Sequence, residues 1–579
     1  MPNPHKYDFE PEAHRAELEG IYAAVEALDA VDDRALRKLL GRFPKNGREM
    51  FSKSELIRGV RHFADALGWD AAPFARKLRM KPIRTASGVA PVTVLTKPFP
   101  CPGRCIFCPN DVRMPKSYLA MEPGAQRAMQ NKFDPYAQTM SRLHAFFVNG
   151  HVVDKVELIV LGGTWSFYPE PYQIWFIKRC FDAMNDFVAD SAAPDARHVD
   201  FERLDDEADR AETYNRVVSR FIEGAQGAMV GDWESATWDE LEAAHADNES
   251  ASSRCVGLVL ETRPDHIDLD EVKRIRRLGA TKVQIGYQAL DDEVLAANRR
   301  GHDVAATRRA MHLLRSVGFK IHAHWMPNLY GSDVERDAAD FGRIFDDPDF
   351  RPDELKLYPT SLIETAELME RYRDGTWVPY DDEALVGLLE RCMVRVPRYC
   401  RLTRVIRDIP SHDIVVGNKT SNLREVAEAR LRAKGAIQVD IRSREIRGQP
   451  VQGALTERET RYDAAVSEEV FLEAVTEEDR IVGFIRLSLP KATESAVDEL
   501  QGAAIIREVH VYGAALGIGE RSERAAQHAG LGRRFVERAC VIAAAEGFVC
   551  VAVISAIGTR GYYRSLGFTD GQLYQLREL

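Results

Sequence analysis

Between residues 89 and 358 the sequence alternates short apolar runs with amphipathic stretches, and this alternation restricts the available folds more than any other feature. The runs fall at 89–95, 155–161, 255–260, 282–286, 319–325 and 354–358, with helical spacing between them at 271–278 and 304–317. Near-continuous apolar strands separated by helices predict a parallel sheet covered by helices. The expected fold class is therefore α/β, with a partial parallel (β/α) barrel. In such barrels chemistry collects at the carboxyl ends of the strands, so the residues that follow each run are the first candidates for function.

The first of those ends leads into Cys101-Pro-Gly-Arg-Cys105-Ile-Phe-Cys108, which holds three of the chain's nine cysteines. Thiolates are soft ligands and suit iron–sulfur clusters, zinc or Cu(I). Three in one loop can hold three corners of a [4Fe–4S] cluster and leave the fourth iron open. The next cysteine is Cys180. A structural zinc site has four ligands in paired clusters, and no partner pair is present near the loop. Pro102, Gly103 and Pro109 argue for a loop, not a core segment. The C-x3-C-x2-C spacing resembles the signature of radical S-adenosylmethionine (SAM) enzymes. That resemblance implies a cluster whose open iron chelates the amino and carboxylate groups of SAM. Reduction of the cluster then yields a 5′-deoxyadenosyl radical, and the protein positions and shields it.

The other strand ends are polar. Gly162 and Gly163 let backbone approach a ligand closely, and in radical SAM enzymes a glycine pair here binds the SAM amino group; a plain turn is the alternative. Glu261 and Arg263 are placed to clamp a polar cofactor group, or to form a surface ion pair. Gln288 is a candidate hydrogen-bond donor inside the barrel. His322 and His324 alternate on one strand and face the same side, which fits packing or polar satisfaction better than metal ligation. Lys155 starts its strand, and position alone makes it solvent-exposed.

The last 140 or so residues differ. Runs at 470–475 and 480–488 predict a β-hairpin, and 505–512 another strand. Gln527-His-Ala-Gly530-Leu-Gly532 then opens a helix over 533–545, followed by a strand at 550–554. Backbone N–H groups at such a helix N-terminus form an anion site. Beyond it lies Tyr562-Tyr563-Arg-Ser-Leu-Gly-Phe568. This order resembles GNAT acetyltransferases, with their Q-x-x-G-x-G loop and Y-x-x-L-G-F end. The resemblance implies acetyl-CoA as co-substrate. Its pyrophosphate would lie on Gln527, Gly530, Gly532, Arg533 and Arg534, and its pantetheine along the main chain of Val509, His510, Val511 and Tyr512. A tyrosine, Tyr563 or its neighbour Tyr562, would stand by the thioester.

At 579 residues, 45% hydrophobic and 29% charged, the chain reads as a soluble protein of two to four domains. Its polar, acidic first 20 residues do not resemble a signal peptide. The apolar window 541–558 is short for a membrane span and reads as a helix followed by a strand. Sparse cysteines that must stay reduced place the chain in the cytoplasm. The net charge of −11 is unevenly spread: 182–250 carries 19 acidic and 5 basic residues, whereas 71–110 has seven basic residues and no acid. Arg76, Lys77, Arg79, Lys81 and Arg84 from that segment are the candidate RNA contacts, the alternative being a solvated basic loop. Residues 1–75 read as a helical module, with amphipathic spacing over 7–28 and 52–67 and a turn at 43–48.

A radical SAM barrel followed by a GNAT domain resembles the catalytic subunit of Elongator in its stand-alone bacterial form. The residues carrying the likeness include KPIRTASGVAPVTVLTKPFPCPGRC (81–105), KFDPY (132–136), VDKVELIVLGGT (153–164), RCVGLVLETRPD (254–265), VQIGYQ (283–288), PDELKLYPT (352–360), IRDIPS (406–411) and REVHVYG (507–513). What the resemblance implies is an enzyme that installs a carboxymethyl group on C5 of the wobble uridine of tRNA. The radical would abstract hydrogen from the acetyl-CoA methyl, the carbon radical would add to uracil, and hydrolysis would release coenzyme A. Lys155 matches a family lysine assigned to acetyl-CoA. Further partners are an electron donor and a second copy of the chain in a homodimer; no membrane is expected.

The expected division is a helical module at 1–75 contacting tRNA, a radical SAM partial barrel at 76–400, a linker at 401–450 and a GNAT domain at 451–579. Two departures from relatives stand out. Residues 434–445 lack the cysteines that hold zinc in many relatives, so no structural zinc is expected and packing must hold the junction. An acidic insertion at 190–250, helical over 205–224, is expected on the side away from tRNA. The rival readings are a GNAT protein lysine acetyltransferase with a merely structural cluster, and a non-catalytic RNA-binding scaffold.

Overall fold

The structure is a computed structural model that describes residues 9–28, 31–188, 198–204, 207–446, 451, 453–492, 495–512 and 530–579. Gln527 and the expected loop before Gly530 lie outside the described residues.

Four helices, Arg15–Glu26, Asp33–Leu40, Lys53–Leu67 and Ala71–Leu78, form the N-terminal module round a core of their own. Leu18, Ile21, Val25, Leu56, Val60, Phe63 and Phe74 recur at helical spacing and are buried in it. The first helix starts later than its sequence periodicity suggests, because Pro11–His14 forms a 3-10 turn before it. Ser52 and Glu55 close a capping box at the third helix, and Gly68, at φ 65°, ends it in the left-handed region. Arg61 ties the module to the barrel: its guanidinium lies 3.7 Å from the Phe147 ring and donates to Phe147 O at 2.8 Å.

The main sheet is parallel and seven-stranded. Its strands are β1 (Ala90–Leu95), β2 (Lys155–Leu161), β3 (Arg254–Thr262), β4 (Lys282–Gln288), β5 (Lys320–Trp325), β6 (Glu354–Leu357) and, past a small pair β7 (Leu362–Ile363) and β9 (Ile414–Val416), β8 (Arg401–Arg404). The order β1-β2-β3-β4-β5-β6-β8 follows the chain, as expected when each strand returns through a covering helix. One face carries Val92, Val156, Leu158, Leu260, Val283, Ile285, Ile321, Ala323 and Leu355 into the core. The other carries Thr93, Glu157, Gln284, His322, His324, Glu354 and Lys356 into a central cavity. Six of the strands match the sequence reading within two residues. β8 does not: it is short, begins and ends with arginine, and lies in the stretch read as a linker.

The described part of the insertion packs against the barrel. Its helix Ala211–Gln226 lies on the cysteine loop, and Asn215 bonds Cys101. Charge would have kept the insertion from a basic surface seeking RNA, but its carboxylates instead pair with that surface. Glu234 holds the buried Lys97 at 2.5 Å and Glu212 lies 3.3 Å from Arg104.

The second sheet runs β10 (Thr456–Ala464), β11 (Ser467–Val475), β12 (Ile481–Pro490), β13 (Ala503–Val511), β14 (Cys550–Val553), β16 (Gln575–Glu578) and β15 (Thr569–Asp570). β13 and β14 are parallel and all other neighbours antiparallel. The helix Leu531–Ala545 precedes β14, as the window 541–558 suggested, and β10 extends the expected hairpin to three strands.

This domain caps the amino-terminal ends of the barrel strands. Arg276 donates to Ser555 O at 2.8 Å and to Leu573 O, Tyr574 Oη donates to Val317 O at 2.8 Å, and Gly318 meets Ile505. Asp353, just before β6, gathers Arg315, Arg486 and Arg507, and Glu469 shares Arg507. Arg398 and Arg444 converge on Glu473. Buried ion pairs like these hold the junction. Among the described residues no helix is long and apolar enough to cross a membrane.

Candidate active site

One cavity of about 1040 Å³ runs through the barrel from the cysteine loop to the second domain. At one end it is lined by Cys101, Cys105, Cys108, Gly163, Glu261, Arg263, Gln288 and Arg300, and at the other by Glu508, Val509, His510, Tyr512 and Tyr563. The loop Cys101–Cys108 follows the carboxyl end of β1, where a parallel barrel presents its functional residues.

The thiols sit among cations. Arg300 Nη1 lies 3.4 Å and Arg263 Nη1 3.8 Å from Cys105 Sγ. The hydrogen bond from Cys108, with Arg300 and Arg263, holds the Cys105 thiol well below the usual range. Lys116, buried and bonded to Asn110, faces all three sulfurs; burial lowers its ammonium and the thiolates oppose that shift. A reactive or ligating cysteine needs such an electropositive setting. Among the described residues no three His, Cys, Asp or Glu side chains gather as they would round a single ion. A cluster takes one thiolate per iron and spreads its ligands, so this donor set fits a [4Fe–4S] cluster better than a mononuclear site.

The glycine pair follows the carboxyl end of β2. Gly162 has φ 117° and Gly163 φ 65°, values that L side chains rarely adopt, and a Cβ on Gly162 would collide with Thr96 Oγ1. Glu261 and Arg263 do not pair with each other, and the ion pair that Arg263 makes is buried and with Asp265. Arg263 grips Asp265 at 2.9 and 2.8 Å and donates to Arg300 O at 2.5 Å, so its guanidinium is committed beneath the cysteine loop. Glu261 faces the cavity, and burial raises its carboxyl. Gln288 has φ 63° and a buried amide oxygen with no hydrogen-bond partner among the described residues. His322 and His324 are buried on the cavity face and bond Thr403 Oγ1 at 2.9 Å and Gln284 Oε1 at 3.0 Å. Desolvation keeps both imidazoles neutral, well below their usual value.

Sequence reasoning missed Lys356 and Arg300. Lys356 stands mid-cavity, bonded to Gln284 Oε1, and burial lowers it to about 8. At that value its Nζ can give or take a proton near neutral pH. The signal was Lys356 inside an apolar strand; nothing local marks Arg300, which reaches Cys105 from 195 residues away.

At the other end, β14 pairs with β13 only over Ala503–Ile506, so among the described residues the β13 edge beyond Ile506 has no neighbouring strand on that side. Val509, His510 and Tyr512 expose that edge to the cavity, and Tyr563, 7% exposed, closes it. Burial raises the Tyr563 phenol, so it stays protonated as a donor. Tyr562 lies outside the cavity lining and covers Gly532, whose missing Cβ lets the Tyr562 hydroxyl approach. Gly530 caps the helix N-terminus; Arg533 is exposed, while Arg534 is paired with Glu457 at 2.5 Å. Lys155 is half-exposed at the domain-facing end of β2, its Nζ 3.9 Å from Asp154, and does not join the cavity lining.

The basic surface is rearranged too. Lys77 is spent on the carboxyl end of the first helix, donating to Val25 O at 3.2 Å and Glu26 O at 3.3 Å. Arg79 is half-buried. Arg76, Lys81 and Arg84 are exposed. Arg84 meets Arg127 and Arg142 at the cavity rim, three guanidiniums with no carboxylate partner among the described residues. Desolvation, then Arg127 and Arg84, lower Arg142 to about 10. Such a cluster is favourable only with an anion beside it.

Comparison with known proteins agrees with this architecture. The Radical SAM superfamily model matches residues 180–341 and the Radical_SAM C-terminal domain model residues 352–433. The chain is 38% identical over 492 residues to the tRNA uridine(34) acetyltransferase of Dehalococcoides mccartyi, covering 84% of this chain and 96% of that one. It is 34% identical over 523 residues to human Elongator complex protein 3, covering 87% and 86%. The solved structure of Methanocaldococcus infernus Elp3 lacking its N-terminus (1–46) superposes with a TM-score of 0.66 at 32% identity, covering 85% and 99%. A barrel of radical SAM type joined to a second α/β sheet domain, matched along most of its length by these relatives, places the chain in the family of Elongator complex protein 3 and the tRNA uridine(34) acetyltransferases.

Proposed function

We propose that this protein modifies the wobble uridine of tRNA, forming 5-carboxymethyluridine from acetyl-CoA by radical SAM chemistry. The observation that carries the reading is the single cavity joining the cysteine loop to the open edge of β13 and Tyr563. Two chemistries housed on separate domains need such a shared space if one substrate is to meet both.

Cys101, Cys105 and Cys108 would hold a [4Fe–4S] cluster, with SAM at Gly162–Gly163 and the polar groups Glu261 and Gln288. With these bound, the centre supplies a hydrogen-abstracting carbon radical. Arg263 and Arg300 favour the Cys105 thiolate, and the surrounding sheet and helices would exclude water. The unpaired β13 edge would take the pantetheine amides, Gly530–Gly532 and Arg533 the pyrophosphate, and the Tyr563 hydroxyl would donate to the thioester oxygen. Lys155, at the junction, would reach the acyl-CoA from the barrel side. Lys356 Nζ can carry a proton between the two ends. The wobble base must be splayed from its loop to enter the barrel. Arg76, Lys81, Arg84, Arg127 and Arg142 would hold its flanking phosphates.

The test is anaerobic turnover of reconstituted protein with reductant, SAM, acetyl-CoA and bulk tRNA, with nucleosides read by mass spectrometry. Carboxymethyluridine formed by the wild type and lost in Cys105→Ser is expected. No modified uridine, together with cluster-independent acetylation of lysines, would replace this reading with a protein acetyltransferase.

A further inference from the structure

The helix Ala211–Gln226 enters the chain between β2 and β3, yet it packs on a loop more than 100 residues earlier. Asn215 Oδ1 accepts from Cys101 N–H at 3.0 Å, and Asn215 Nδ2 donates to Cys101 O at 2.9 Å. One side-chain amide thus satisfies both peptide groups of one cysteine, as a neighbouring strand would. The loop has no regular secondary structure, and peptide groups there need such partners.

Contacts on either side of Asn215 point the same way. Tyr214 is fully buried and donates to Met114 O at 2.7 Å, and the Lys116 ammonium lies 4.6 Å from its ring. The start of the helix is tied down where Ala211 N–H donates to Glu367 Oε1 at 3.2 Å. Its far end is anchored through Glu234, which accepts from Gln226 Nε2 at 3.1 Å and from Gly231 N at 2.9 Å while gripping Lys97. Lys97 stands four residues before Cys101. The helix is therefore fixed at both ends and meets the loop through Asn215, near its start.

We infer that the helix Ala211–Gln226 is an intramolecular clamp on the cysteine loop and that Asn215 is the positioning residue that holds Cys101 for cluster binding. The clamp orders the loop before iron arrives and covers one side of the site afterwards. A buried amide pairing costs little entropy once the helix is docked, so the gain is realised at the ligand. The inference rests on the cluster reading above.

The experiment compares full-length Asn215→Leu and Asn215→Asp with wild type, and with Glu223→Gln on the exposed side of the same helix. Each protein is reconstituted anaerobically. Iron per chain, the spectrum of the reduced cluster by electron paramagnetic resonance, and the decay of cluster absorbance in air are recorded. The melting temperature of the iron-free protein is measured in parallel. Asn215→Leu is expected to lose cluster absorbance about tenfold faster, the scale set by two net hydrogen bonds, with an altered resonance line shape. Asn215→Asp, which keeps the acceptor for Cys101 N–H, should fall between. Glu223→Gln should match wild type, and the iron-free proteins should melt within a few degrees of one another. Wild-type decay and line shape in Asn215→Leu would overturn the inference, as would a decay that merely tracks a lowered melting temperature. A wild type that takes up no iron would instead overturn the cluster reading itself.

Discussion

Arg507 on β13 places Nη1 and Nη2 2.8 and 2.7 Å from the two carboxylate oxygens of Asp353, the residue that leads into barrel strand β6, and both side chains are fully buried. The cavity exists only while the two domains are held together, and this bidentate pair lies at the centre of what holds them. Asp353→Asn leaves Arg315 and Arg507 sharing one carboxylate, Glu469, and Arg486 with Glu508 alone. Removing one partner of a buried pair costs about 3–5 kcal/mol. The variant should melt several degrees lower in a thermal scan, and Asp353→Glu should not restore the wild-type value, because the longer side chain cannot keep both bonds.

Acid sensitivity follows from the same group. Although burial alone would raise it, Arg315, Arg507 and Arg486 hold the Asp353 carboxyl well below its usual range. A carboxyl whose value is depressed by folding contributes stability that is complete above about pH 4 and is lost as the pH falls through the folded-state value. The melting temperature of the wild type should therefore drop more steeply below about pH 4 than that of Asp353→Asn, measured by calorimetry across that range.

Arg300 reaches the Cys105 sulfur without a carboxylate of its own among the described ion pairs. Arg300→Met keeps the bulk and removes the charge, so the Cys105 thiol rises toward its ordinary value. Iron uptake at pH 7 should fall and recover as the pH is raised, since more alkaline solution restores the thiolate. Iron and sulfide analysis after reconstitution at several pH values reads this directly, and a pH-independent deficit would contradict it.

Tyr563→Phe removes the phenolic donor at the closed end of the cavity but leaves the β13 edge intact. Turnover should fall about a hundredfold, the usual effect of losing one donor to a developing oxyanion, while acetyl-CoA affinity by calorimetry stays within about threefold. Tyr562→Phe, which lies outside the cavity lining, should lose far less.

At the rim, Arg84→Ala and Arg127→Ala should each weaken tRNA binding uniformly across tRNA species. Each should reduce the slope of log affinity against log salt by about one. Lys77→Ala should leave that slope unchanged, because its ammonium is occupied by Val25 O and Glu26 O. Filter binding over a salt series separates the two outcomes.

Much of the architecture was written locally. The apolar runs became β1 to β6 because each sends apolar residues into the core from one face, while the alternate residues, such as Glu157, Gln284 and His322, line the cavity. The cysteine spacing, the positive-φ pair Gly162–Gly163 and the Gly530–Gly532 turn were legible because each depends on neighbours only a few residues away. The short β8, between two arginines, carried no such pattern. Charge misled where partners were distant: Lys97 and Arg104 seemed part of an open basic face, yet carboxylates of the insertion neutralise them.

The sequence by itself therefore determined the parallel α/β barrel, the separate C-terminal sheet domain and their order, since periodicity and short motifs report local backbone and burial. Only the tertiary structure decided that the second domain caps the barrel, that Lys356 and Arg300 enter the cavity, and that the insertion grips Cys101. These depend on contacts between residues from 72 to 297 positions apart, which become neighbours only when the sheet curls and the cores close, and no periodicity in the chain records them.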